Sequence, residues 1–270
     1  MTWLLGSIIG VLMGITGAGG GVLAVPALVF GLGFSMQQAA PVALIAVSFA
    51  ACVGAIEGLL RRTVRWRAAI VIAMAAFPFT ALGVALAQRL PDVALRLLFI
   101  GVLTFVAWRQ IVSRAPRDEA ESYAPTGHVA LLNPDTGRFI WTRDTWVGFV
   151  FIGGVMGFCS GLLGVSGGFV LVPLLSRYTP LGASMLVGTS LLVTAFVTAF
   201  GASASVLQGA TLPWPLTAWF ATSLVSGMVA GRLLVHHLPE RRIRQAFLLL
   251  VIGVATALSI DVLRRLVMGP

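Results

Sequence analysis

The chain has 270 residues, of which 58% are hydrophobic and only 10% charged, and its 18 basic residues face nine acids, giving a net charge of +9. A soluble domain carries about a quarter charged residues, so this composition excludes a water-soluble globule and predicts an all-α polytopic membrane protein. All 18 cations are arginine, clustered between apolar runs as expected of cationic span flanks, and they do not point to nucleic-acid binding.

A membrane span needs about 17 to 25 apolar residues. The first candidate, 3–34, is too long for one ordinary crossing and is interrupted by Gly17, Gly19, Gly20 and Gly21. It could pass for a signal peptide, but it lacks basic residues ahead of the apolar run, so cleavage is not expected. Simple spans follow at 37–60, 68–88 and 93–113. A polar stretch, 113–144, then holds five of the nine acids and the turn signal Asn133 to Gly137, and reads as an extramembrane linker. A second glycine-broken segment, 145–176, precedes spans at 180–207, 215–235 and 243–263.

The two broken segments are copies. Gly10, Gly14, Gly17, Gly20, Gly21 and Pro26 recur as Gly157, Gly161, Gly164, Gly167, Gly168 and Pro173, all at an offset of 147. With one residue inserted, Trp66 falls on Trp214 and Gly83 on Gly231. The expected organisation is therefore repeat 1 over 1–112, a cytoplasmic linker over 113–144 and repeat 2 over 145–270. If each broken segment is a re-entrant hairpin, each repeat adds three transmembrane helices and the repeats are inverted. Fourteen of the 18 arginines then share one face, which would be cytoplasmic, while Arg89, Arg96, Arg264 and Arg265 face the other way.

Non-helical backbone survives at membrane depth only where protein or a polar cavity surrounds it. Two unwound tips meeting at mid-depth, each with free amides beside a helix start, would cradle a small anion without a buried arginine. The candidate binding residues are Thr16, Gly19, Gly20 and Gly21 at the first tip, and Ser166, Gly167 and Gly168 at the second. Thr189 and Ser190 open the following helix in repeat 2, where repeat 1 has Pro41, Val42 and Ala43. Gly10, Gly14, Gly153 and Gly157 read as helix-packing positions.

At these positions the sequence resembles the TauE/SafE family of sulfite and sulfonate exporters. The resemblance rests on Gly17-Ala-Gly-Gly-Gly-Val-Leu-Ala-Val-Pro26, on Gly164-Val-Ser-Gly-Gly-Phe-Val-Leu-Val-Pro173 and on Gly188-Thr189-Ser190, from which Pro41-Val42-Ala43 departs. It implies export or uptake of a small anion such as sulfite, sulfoacetate or another organosulfonate, with export the expected direction.

Other polar residues have structural readings. Glu57 is an acid within a span and a candidate for ion coupling, although a pair with Arg61 at i,i+4 explains it equally well. Asp261, one turn before Arg264 and Arg265, is expected to pair with them, and Arg232 to snorkel or to draw anions to the cytoplasmic mouth. Cys52 and Cys159 form no metal or disulfide motif. His236 and His237 lack further ligands for a metal, and Trp3, Trp66, Trp108, Trp146 and Trp214 read as interfacial anchors. No nucleophile with a base and no phosphate loop occurs, so an enzyme is not expected.

The function expected is a secondary transporter or facilitator working by alternating access in the cell (inner) membrane. The alternatives are a passive anion channel and a non-transporting membrane scaffold or accessory subunit. The expected partners are the anion and the lipid bilayer, with a homodimer also compatible; no nucleic acid and no cofactor is expected.

Overall fold

The computed structural model describes residues 2–16, 19–112, 139–179, 181–234 and 240–268. The expected turn at Asn133 to Gly137 and the pair His236, His237 fall outside them. Within them lie ten α-helices: α1 (Thr2–Thr16), α2 (Ala24–Leu32), α3 (Met36–Leu60), α4 (Trp66–Arg89), α5 (Asp92–Val112), α6 (Arg143–Leu163), α7 (Gly168–Tyr178), α8 (Ala183–Leu207), α9 (Trp214–Leu234) and α10 (Glu240–Met268). A five-residue 3-10 turn, Gly19–Leu23, joins α1 to α2. Four of these helices (α3, α4, α6 and α8 from Ser184) are long and apolar enough to cross a membrane. The molecule is an all-helical, multi-pass membrane protein.

The helix ends follow from local chemistry. Ser35 starts α3 with a reciprocal capping box to Gln38, satisfying two otherwise orphaned amides. Thr142 caps α6 through the Thr145 amide. The turn after α3 places Arg62 at φ 58°, a left-handed conformation that its repeat mate Gly209, at φ 91°, adopts without a Cβ.

Both broken segments fold back on themselves. A Cβ built on Gly31, near the end of α2, would fall on the Leu5 side chain at the start of α1. In the second copy, Leu175 and Leu186 share a buried cluster with Phe149 and Ala68, so α7 returns to the end from which α6 began. The copies differ in length, because α6 runs 21 residues before its break and α1 only 15.

Each repeat packs chiefly on the other. Along α1 and α9, Gly6 meets Ser223, Gly10 meets Leu224 and Met228, and Gly14 meets Met228 and Gly231, so the two helices run parallel. Along α6 and α4, Gly153 meets Ile72, Gly157 meets Ala76 and Gly161 meets Thr80, again in parallel. Opposite Gly6 stands the Ser223 side chain, whereas the atom nearest each of Gly10, Gly14, Gly153, Gly157 and Gly161 is a backbone carbonyl oxygen. Any side chain would force the helices apart, which is the packing role read from Gly10, Gly14, Gly153 and Gly157.

The repeat mates α3 and α8 pack on each other in the opposite sense. Gly201 lies against Leu44, the Ser48 hydroxyl donates to the Ala195 carbonyl at 3.2 Å, Gly54 faces Leu191 and Gly58 faces Gly188. Ascending numbers on α3 meet descending numbers on α8, so these helices are antiparallel. The mates α5 and α10 join at the start of one and the end of the other, through Arg96 and Asp261.

Candidate functional site

The two tips touch. A Cβ built on Gly21 would fall on the Ser166 Oγ, lie 2.7 Å from the Ser166 Cβ and 3.4 Å from Val47 Cγ1. Val47 stands near the middle of α3, so Gly21 and Ser166 meet about halfway along the central helix pair. Gly21, Ser166, Gly167 and Gly168 are all buried. The half-helices themselves run deeper than their tips, since Gly161 at the end of α6 lies against Thr80 and Val84. Gly164 makes the turn at φ 66°, pressed against Ala40, and the chain then comes back to mid-depth at Ser166.

Thr16 closes α1 with its hydroxyl bonded to the Leu12 carbonyl at 2.7 Å, and Gly19 and Gly20 open the 3-10 turn that leads to Gly21. Gly167 packs on Met156. The remaining expected residues lie elsewhere on the central helices. The Thr189 hydroxyl accepts the Arg65 backbone N–H at 3.0 Å, at the turn between α3 and α4, and Ser190 bonds the Val187 carbonyl at 2.9 Å. Pro41 lines a small cavity of about 30 Å³ at the opposite end, with Gln37, Val84, Gln88, Ser205 and Ala210.

Sequence reasoning missed two buried hydroxyls. Thr194 and Ser160 are fully buried and their Oγ atoms have no hydrogen-bond partner. An unpaired buried hydroxyl costs about 1–3 kcal/mol, so each of the two is a position at which a polar ligand would be welcome. Thr194 is the repeat mate of Val47, the residue beside Gly21. The offset of 147 that aligned the glycines would have singled it out, because it is a polar residue where its mate in repeat 1 lies beside a tip.

Charge is kept away from the tips but guards both ends. Glu57 accepts from Arg61 at 3.0 Å, the i,i+4 pair read from sequence, and also from Arg232 of α9. Arg232 therefore does not snorkel to the surface; its guanidinium lies along α3 at Gly54 and Glu57, about two turns from Val47. At the other end Asp261 is engaged from a different helix. It accepts from Arg96, which is 2% exposed and also donates to Asp92 at 2.6 Å, while Asp92 accepts the Met36 amide at 2.7 Å. The reason is topological, since the end of α10 is brought against the start of α5. Cys52 and Cys159 are free thiols, and Trp3, Trp66, Trp108, Trp146 and Trp214 are exposed at helix ends.

The sequence matches a known family over nearly its whole length. The family model described as "Sulfite exporter TauE/SafE" matches residues 2–258. The chain belongs to the TauE/SafE family. Two relatives, each described as "Probable membrane transporter protein", come from Xylella fastidiosa, strains Temecula1 and 9a5c. They are 25% identical over 255 residues and 26% identical over 262 residues, and each comparison covers 93% of this chain and 90% of the relative. No solved structure matches the chain. As a TauE/SafE protein it is a membrane transporter, and the match takes in both glycine tips and all the helices that hold them, α10 included up to residue 258.

Proposed function

We propose that this TauE/SafE protein carries a small oxyanion, sulfite or an organosulfonate, out of the cell, binding it between the two glycine tips and exposing it to each side in turn. The observation that carries the reading is the buried contact of Gly21 with Ser166 about halfway along the central helix pair. Backbone amides and hydroxyls suit an anion there, because they bind negative charge without the desolvation penalty of a buried arginine. Thr16, Gly19, Gly20, Gly167 and Gly168 complete the proposed cradle.

The antiparallel run of α3 against α8, and the parallel runs of α1 with α9 and of α4 with α6, support inverted repeats. With that arrangement the turn at 61–67 and the starts of α6 and α10 lie together on the arginine-rich face, which the positive-inside bias assigns to the cytoplasm, and the membrane is the cell inner membrane. Moving one negative charge outward gains about 2.3 kcal/mol per 100 mV, so export needs no coupling ion. Glu57, held between Arg61 and Arg232, then acts as part of the inner closure.

The test is sulfite flux in liposomes containing the purified protein. Flux is expected to saturate with sulfite, to be inhibited by an organosulfonate, and to be lost in Gly167→Ala that still elutes as a folded species. Flux that rises linearly without saturation would identify a channel, and no flux with any sulfur oxyanion would refute the reading.

A further inference from the structure

At the basic end of the molecule, outside the tips, Val64, Arg65, Trp66, Arg67, Phe139 and Trp141 line a cavity of about 200 Å³. Two arginines and no acid line it among the described residues. The Arg65 guanidinium makes nothing stronger than a 3.5 Å approach of Nη2 to Met185 Sδ, and its Nε is buried without a hydrogen-bond partner. Arg67 stands over the Trp66 ring, 5.2 Å from its centre. The aromatic wall is fixed to α6, with Phe139 5.4 Å and Trp141 5.9 Å from the Phe149 ring centre. The pocket also contains the start of α4, which has no side-chain cap, leaving first-turn amides and the positive end of the helix dipole facing it.

The second repeat shows that the fold does not require this chemistry. Around the matching Trp214, the mates of Arg65 and Arg67 are Pro213 and Pro215, residues with no N–H to leave unsatisfied. One copy of the same helix start is thus closed to anions and the other is provided with two guanidiniums. Nearby, Arg62 keeps a cation in a left-handed position where the mate is Gly209.

We infer that this pocket binds one phosphate-class oxyanion between Arg65, Arg67 and the first turn of α4. The oxyanion is either the headgroup of an anionic phospholipid in the adjoining leaflet or a free sulfur or phosphorus oxyanion. Guanidinium forks match tetrahedral oxyanions bidentately, and basic pockets between spans on the cytoplasmic side are suited to anionic headgroups. The exposed Trp66 and the half-buried Trp141 supply the amphipathic surface that a headgroup needs at the interface.

The experiment uses the full chain in a neutral detergent and reads the melting temperature during titration with dihexanoyl phosphatidylglycerol, dihexanoyl phosphatidylcholine, phosphate and sulfite, since a ligand of the folded state raises it saturably. Phosphatidylglycerol or a free oxyanion should saturate where phosphatidylcholine does not. Arg65→Gln/Arg67→Gln should weaken that apparent Kd at least about tenfold, and Arg61→Gln/Arg62→Gln, on the same face but outside the pocket, by less than about twofold. Should the double variant not fold, Arg67→Gln alone, whose side chain is exposed, should weaken it about threefold or more. Saturation by phosphatidylglycerol unopposed by phosphate or sulfite identifies the lipid headgroup. Saturation by a free anion that competes with the lipid identifies the soluble ligand. No saturable effect, or equal weakening in the control pair, overturns the assignment.

Discussion

The tip contact makes a demanding prediction. Gly21→Ala places a methyl group onto the Ser166 hydroxyl and 2.7 Å from its Cβ, in a region where Gly21, Val47 and Ser166 are buried. Overpacking of this kind costs about 1–3 kcal/mol, or a fall in melting temperature of about 2–12 °C for a chain of this size. Ser166→Gly removes both atoms that the new methyl group meets. The double variant Gly21→Ala/Ser166→Gly should therefore be more stable than the sum of the single effects by about 1–2 kcal/mol. Its sulfite flux should stay below that of the wild type, because the tip hydroxyl is gone. Thermal melts of the four proteins of the cycle, with flux measured on the same preparations, decide the matter. Additive single effects, or a Gly21→Ala protein melting within about 1 °C of the wild type, would refute the idea that the two tips are pressed together.

Thr194→Val keeps the shape of the side chain and removes an unpaired buried hydroxyl; it should raise stability by about 1 kcal/mol while lowering sulfite flux, a combination that a purely structural residue would not give. Arg62→Gly relieves a left-handed arginine, and after the added freedom of glycine in the unfolded chain it should stabilise by about 0.5–1 kcal/mol, seen as a higher melting temperature. Arg96→Met leaves Asp92 and Asp261 facing each other without their cation; because both carboxylates keep some solvent, the loss should sit near the low end for a buried pair, about 3 kcal/mol, and Asp261→Asn should cost less.

The helix limits were legible because apolar runs end at charges and turn residues. The span expected at 37–60 is Met36–Leu60, and that at 215–235 is Trp214–Leu234. The meeting of the tips was legible from glycines repeated in register, since three adjacent glycines cannot form one helix-packing face. Two kinds of fact were not legible. The Arg96 to Asp261 pair joins residues 165 apart and depends on the start of α5 meeting the end of α10, which local pattern does not specify. The unpaired Thr194 and Ser160 depend on which helix face looks inward, and helices apolar on every side give no periodicity from which to read it. Thr189 stood out through its motif, yet its hydroxyl holds the start of α4.

The exchange of helices between the repeats sets the order in which the protein can be built. The partner of α1 is α9, so the glycine ridge at Gly6, Gly10 and Gly14 has nothing to pack on when it leaves the ribosome. Its groove at Gly227 and Gly231 is more than 200 residues away, and at about 5–20 residues per second it is made some tens of seconds later at the slower rate. Through that interval a helix of 15 residues, short for a bilayer, waits without its mate while α4 and α6 find each other first. A truncated chain lacking α9 should therefore retain the α4–α6 pair and expose α1 to membrane quality control, which makes α9 the element whose arrival completes assembly.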